Sequence, residues 1–272
     1  MNALIFTLRD APPQRLDLAP LTPDRLLGLS ESKIAAIELQ TTRERLCTGD
    51  IFKIRMGDPM QIRFDGGSER FDRAGAGMSK GEVTIDGDVG IQAGRMMQGG
   101  KLTISGNAGP WAASCMKGGT LAISGHAGDR IGGPLPGETV GMRGGVVTVC
   151  GDAGMRAGDR MRRGMLIIEG KAGAYPGSRM IAGTLIMQGR AGPLPGYLMS
   201  RGTIVMVNGS DALSPTFSDS GVYEFVANAL IASYVQTYSP KVAMMLRRPW
   251  RRLLGDMAVI GKGEIFYPPA AN

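Results

Sequence analysis

Histidine is nearly missing from this 272-residue chain: the single one is His126. A histidine-dependent triad or a multi-histidine metal site is therefore not expected within it. The three cysteines, Cys47, Cys115 and Cys150, lie far apart without a CxxC pair, which argues against a disulfide framework, a zinc site or an iron–sulfur cluster built by this chain alone. Cys115 and Cys150 fall inside a repeated pattern described below and are expected to behave as small hydrophobes. Aromatic residues make up only 6% of the chain and no nucleic-acid motif is present, so nucleic acid is not an expected partner. No run of about 18 apolar residues exists, which leaves no candidate membrane helix. The opening residues lack the apolar core and small-residue cleavage site of a signal peptide, and the cytoplasm is the expected compartment. No column of carboxylates, calcium nonapeptide or phosphate loop occurs; Gly75–Gly81 lacks the required spacing.

Glycine, by contrast, is abundant, with 42 residues, and it is periodic. Glycines at 81, 100, 119, 145, 164, 183 and 202 open seven similar segments. The interval is 19 residues except between Gly119 and Gly145, where a seven-residue insertion, Gly133–Thr139, extends it to 26. Counted from each opening glycine, offsets +2 and +4 are always apolar, from Val83/Ile85 through Leu121/Ile123 to Ile204/Met206. That alternation marks a short strand with one inward face. Offset +6 is Gly in six units and Asn208 in the seventh, and both residues suit a tight turn. Offset +16 is Met97, Met116, Met142, Met161, Met180 and Met199, with Met78 in phase ahead of them. These methionines are expected to form an internal packing column rather than a thioether metal ladder, since no Cys or His ligands accompany them.

A helix cannot carry this glycine density, and collagen needs glycine at every third position. The pattern predicts an all-β fold, a right-handed parallel β-helix of about seven 19-residue coils, with α/β caps at both ends. The expected divisions are residues 1–57 as an N-terminal strand and short-helix cap, 58–211 as the β-helix, and 212–272 as a C-terminal helix and hairpin cover. Thr22-Pro23 is predicted to start a short helix, and Leu29–Ile34 a second helical turn. Ser220 is predicted to cap a helix over Gly221–Tyr238, with Val222, Phe225, Val226, Ala229 and Leu230 on one face. Met257–Phe266 is read as a hairpin.

The outward offsets change character along the rod. Early coils present Glu82/Thr84/Asp86 and Lys101/Thr103/Ser105, whereas later ones present Met165/Ile167 and Thr203/Val205/Val207. That late face is too apolar to leave in water, so either the C-terminal helix or a neighbouring subunit lies over it. On its residues alone, the chain reads as a rigid scaffold without an active site.

The net charge is +7, from 23 Arg and 8 Lys against 24 acids. Arginine is concentrated at Arg156, Arg160, Arg162 and Arg163, and again at Arg247, Arg248, Arg251 and Arg252.

The glycine repeat resembles the glycine-rich domain that ends the large subunit of glutamate synthase and stands alone as the C subunit of formylmethanofuran dehydrogenase. The likeness spans Gly81–Gly209, and the tail Gly255-Asp256-Met257-Ala258-Val259…Gly261-Lys262-Gly263-Glu264-Ile265 resembles the end of that glycine-rich subunit family. The resemblance implies a non-catalytic subunit in one of two assemblies. The first is a bacterial formyltransferase/hydrolase complex of methylotrophy, which moves a formyl group from formyl-tetrahydromethanopterin to a methanofuran-type carrier and releases formate. The second is an archaeal molybdenum or tungsten formylmethanofuran dehydrogenase. The excess of Arg over Lys favours the bacterial branch. Implied partners are an amidohydrolase-like subunit holding the metal ions, a formyltransferase subunit and a further subunit, with no cofactor bound by this chain alone. Carriers in the family bear glutamate tails, so Arg156, Arg160, Arg162 and Arg163 are candidate contacts for a polyanionic tail. A stand-alone binding module is the reading of a different class.

Overall fold

In the computed structural model, which describes residues 2–40, 43–224, 226–259 and 261–269, each repeat forms one coil of a β-helix. Among those residues thirteen strands share a sheet: β1 (Ala3–Leu8), β2 (Phe52–Arg55), β3 (Asp58–Asp65), β4 (Glu82–Asp86), β5 (Lys101–Ile104), β6 (Thr120–Ile123), β7 (Arg143–Val149), β8 (Arg163–Ile168), β9 (Thr184–Met187), β10 (Arg201–Met206), β11 (Ser218–Tyr223), β12 (Trp250–Gly255) and β13 (Lys262–Tyr267). Their spatial order is β11-β12-β13-β10-β9-β8-β7-β6-β5-β4-β3-β1-β2. From β1 through β3–β10 to β13 the pairs are parallel, while β2, β12 and β11 close the two ends antiparallel.

The inward register is unbroken from Leu4 and Ile62 through Val83, Leu102, Leu121, Val147, Leu166, Leu185 and Ile204 to Ile265. Both flanks therefore add layers to the ladder instead of only covering its ends. The seven methionines from Met78 to Met199 are all fully buried. A second column, at offset +8, forms single parallel bridges from Ser68 and Val89 through Ala108, Ala127, Ala153, Ala172 and Ala191 to Ser210. The small side chains let two sides of the coil meet closely at this corner. The column is regular in the sequence, yet the apolar alternation does not point to it.

The third side depends on an unusual backbone. Non-glycine residues with positive φ recur at offset +11 (Gln92, Trp111, Arg130, Arg156, Tyr175, Leu194), and at offset +15 (Met96, Cys115, Arg160, Arg179, Leu198). Each such residue costs roughly 1–2 kcal/mol. The compensation is hydrogen bonding in both directions: Trp111 N donates to Asp129 O of the next coil at 2.9 Å, and Ala113 N to Ala93 O of the preceding one at 2.7 Å.

The N-terminal end is plugged by phenylalanines, Phe6 stacking on Phe64 at 4.9 Å with Phe52 edge-on to both. Helices α1 (Pro23–Leu26), α2 (Glu31–Ala35) and α3 (Thr48–Ile51) surround that end. Thr22 stands at the N-cap of α1 and is buried, although its side chain makes no capping bond.

At the other end the predicted helix is displaced. Ser220–Tyr223 belong to strand β11, and the helical stretch splits into α4 (Val226–Val235) and α5 (Pro240–Leu246). The residues α4 buries are Asn228, Ala232 and Val235, not the predicted face; Val226 and Leu230 are exposed, and Phe225 lies outside the described residues. The Ser239-Pro240 pair supplies the missed signal: Ser239 Oγ accepts from Val242 N, and Pro240 occupies the first turn of α5. The terminal hairpin also shifts. Its first strand is the basic segment β12, Met257–Val259 fall in the turn, and Ile260 is outside the described residues.

Helices α4 and α5 lie over the late outer face. Val146, Met165, Ile167, Ile186, Val205 and Val207 pack with Ala232, Val235, Val242, Leu246 and Trp250 in a second core. Of the two expected covers, the chain's own C-terminal helices supply this one.

Candidate functional site

The coil corners decide which side chains reach the surface. Among the described residues no group of three His, Cys, Asp or Glu is placed to hold a metal, and no helix is long and apolar enough to cross a membrane. His126 occupies a rung at offset +7. Its Nδ1 accepts the Asp152 amide at 2.9 Å, just as Asp88 Oδ1 accepts from Asn107 N, Asn107 Oδ1 from His126 N, and Asp152 Oδ1 from Lys171 N. The imidazole thus stands in for an Asp or Asn and is a turn residue.

The insertion folds back as a pinned loop. Glu138 receives both terminal nitrogens of Arg95 (2.5 and 3.2 Å), the Leu135 amide (2.8 Å) and the Cys115 thiol (3.1 Å). Arg160 Nη1 donates to the Glu138 carbonyl at 2.9 Å, which ties the loop to the following coil. The Arg95 hydrogen bond is the largest influence on Glu138 and, against the opposing effect of burial, holds its carboxyl down at about 2. Burial pushes the Cys115 thiol up, so it stays protonated and donates. Cys115 is therefore buried but hydrogen-bonded, and Cys150 is exposed; neither is simply a small apolar filler.

The structure separates the four candidate arginines. Arg160 is occupied by the insertion loop, and the Arg156 guanidinium lies 5.4 Å from the Tyr175 ring centre. Arg162 and Arg163 project from a different corner, at the start of β8. There they join a basic stripe that charge clustering along the sequence does not reveal. Arg163 is in register with Arg143, and Arg201 with Lys262, with Lys117 exposed at the corresponding corner of an earlier coil. Basic residues one or two places before an opening glycine were the available signal. None of these six side chains has an ion-pair partner among the described residues. Like charges opposed across neighbouring strands repel, so the stripe suits an anionic surface or ligand. Arg251 and Arg252 are instead neutralised by Asp219 and Glu264.

With this geometry in view, comparison with known proteins is decisive. A chain in the crystal structure of the formyltransferase/hydrolase complex (FhcABCD) from Methylorubrum extorquens, in complex with methylofuran, superposes with a TM-score of 0.92. It is 40% identical to this chain, and the match covers 97% of this chain and 99% of that one. The curated C subunit of the formyltransferase/hydrolase complex Fhc of the same organism is 42% identical over 83 residues. This chain belongs to the family of Fhc C subunits. That membership favours the hydrolytic branch over the archaeal redox complex and over a stand-alone module. The aligned segment spans 30% of this chain and 31% of the curated relative, whereas the structural match is end to end. No family model matches the chain.

Proposed function

We propose that this chain is the non-catalytic, cytoplasmic scaffold subunit of a formyltransferase/hydrolase complex, which passes formyl from formyl-tetrahydromethanopterin to a methanofuran-type carrier and releases formate. The observation that carries the reading is the end-to-end match, at 40% identity, to a chain of an Fhc complex. The residues supply what a scaffold needs, a stack of coils on a continuous inner core with charged side chains at its outer corners. In this reading the amidohydrolase-like partner holds the metal ions, the formyltransferase partner holds the pterin substrate, and a further subunit makes up the assembly.

The basic stripe gives the scaffold a second part. Arg162 and Arg163, with Arg143 in register beside them, contact the carboxylates of the carrier tail as its formyl end moves between active sites, while Arg160 is engaged by the Glu138 carbonyl and Arg156 by the Tyr175 ring. Unpaired guanidiniums in register present repeated charge-assisted donors to such a polyanion. A tagged pull-down with mass spectrometry and metal analysis tests the assembly. Recovery of the two enzyme-like subunits without molybdenum, tungsten or iron–sulfur supports it, and a lone monomer rejects it. Charge reversal at Arg162 and Arg163 tests the tail contact. The expected result is a higher carrier requirement with the subunits still together; dissociation would instead make these arginines interface contacts.

A further inference from the structure

The seven-residue insertion Gly133–Thr139 occurs in one coil only, and it supplies one wall of a cavity of about 290 Å³. Glu138 and Thr139 stand on that wall, while the coils contribute Met96, Cys115, Lys117 and Arg143. Lys117 and Arg143 hold the same place in successive coils, two residues before Gly119 and Gly145, and the Arg143 amide donates to Met116 O at 2.6 Å. Their side chains therefore leave adjacent layers at one corner, where like charges repel. Both are exposed, and neither has an ion-pair partner among the described residues. Glu138 does not neutralise them, because Arg95 already pairs with both of its oxygens. The lining carries +1, from Lys117 and Arg143 against Glu138, and +2 once that Arg95 is counted. Met96, 41% exposed, adds an apolar surface beside the two cations. The hydroxyl of Thr139, an exposed residue, adds a neutral donor.

We propose that this pocket binds a small aliphatic dicarboxylate. Two unpaired cations call for two negative charges, and each makes charge-assisted hydrogen bonds to a carboxylate. The carbon chain between the carboxylates lies against Met96, a contact that a bare inorganic anion cannot make. The volume is near the lower end of small-molecule pockets, about 300–1,000 Å³, and suits a chain of a few carbons. The bonds that pin Glu138 hold the wall in place before a ligand arrives, so little ordering is lost on binding. This role needs neither the carrier tail nor the complex, and the insertion confines it to one corner of the rod.

The test titrates glutarate, as the probe, into the full-length chain by calorimetry. Saturable one-to-one binding is expected, weakened about tenfold or more in Lys117→Gln and in Arg143→Gln. Each substitution removes an exposed, unpaired charge, so thermal unfolding is expected to stay level and the loss reports binding, not folding. Inorganic phosphate, which lacks a carbon chain, is expected to bind about tenfold more weakly than glutarate. The Met96 methyl resonance, assigned through Met96→Leu, is expected to shift with glutarate and not with phosphate. Arg201 lies three coil layers, roughly 14 Å, beyond Arg143. Salt screens that distance, so Arg201→Gln is expected to leave glutarate affinity within about twofold. No saturable binding, equal binding of phosphate, a silent Met96 resonance, or equal weakening by Arg201→Gln would overturn the proposal. None of these outcomes touches the assignment to the complex, which the pull-down decides.

Discussion

The early and late coils share one interior and differ on the outside. At offset +3 the early strands β4–β6 carry Thr84, Thr103 and Ala122, all partly exposed, and β8–β10 carry Ile167, Ile186 and Val205, all buried. Early rungs are trimmed by surface ion pairs, Lys101 with Glu82 at 2.7 Å and Arg63 with Asp86 at 2.8 Å. Late rungs sit beneath α4 and α5, where Ser239 Oγ donates to Glu169 at 2.6 Å and Trp250 donates to Leu246 O at 3.0 Å. Stacking thus needs only the inner columns, and the outer face is free to specify what each stretch of the rod touches. Exposed pairs such as Lys101–Glu82 contribute little to stability. The buried late face contributes through removed apolar area.

The largest expected effect separates the two stretches directly. Ile186→Asp would bury a charge without a partner and is expected to cost about 4 kcal/mol, while Ala122→Asp at the matching early position costs under about 1 kcal/mol. Urea unfolding of both variants checks this, and equal losses would break the distinction. Next come the shared inner turns. A Cβ on Gly119 (φ +82°) would stand 2.6 Å from Gly100 O, so Gly119→Ala is expected to cost about 3 kcal/mol. At the equivalent late Gly183 the distance to Gly164 O is 3.1 Å, and a smaller loss of about 2 kcal/mol is expected there.

The insertion lies between the two stretches. Glu138→Gln is expected to cost about 2 kcal/mol by leaving Arg95 half-paired. The Glu138 carboxyl is held down at about 2 in the fold against an ordinary 4.5. Its contribution is therefore complete above pH 4.5 and lost as pH falls toward 2. The variant should flatten that part of the stability–pH curve, measured by thermal unfolding from pH 5 downward. The smallest effect belongs to the offset +7 rung: His126→Ala should cost about 1 kcal/mol, and His126→Asn should restore most of it, since only an acceptor for Asp152 N is needed.

How far the sequence can be read follows from how local each cause is. The strand phase, the methionine column and the turn at offset +6 are legible because one coil repeats them with nothing else required. The arginine cluster is legible only as composition. Arg162 and Arg163 prove to share a stripe with Arg143, 19 or 20 residues away, and Arg160 serves a loop carbonyl instead. The face of α4 misleads because Val226 and Leu230 look like core by character, whereas Asn228 is what the fold buries.

The sequence by itself determined the coil: its length, its inward columns and the break at Gly133–Thr139. A period of 19 residues can bury its apolar positions only by stacking, so the architecture follows from the period. The tertiary structure alone decided that β1 and β13 extend the ladder, that α4 and α5 cover the late face, and that Glu138 closes its loop on Arg95. Those outcomes join residues tens of positions apart. Their energies depend on which surfaces the stacked rod brings together, and no local pattern carries that information.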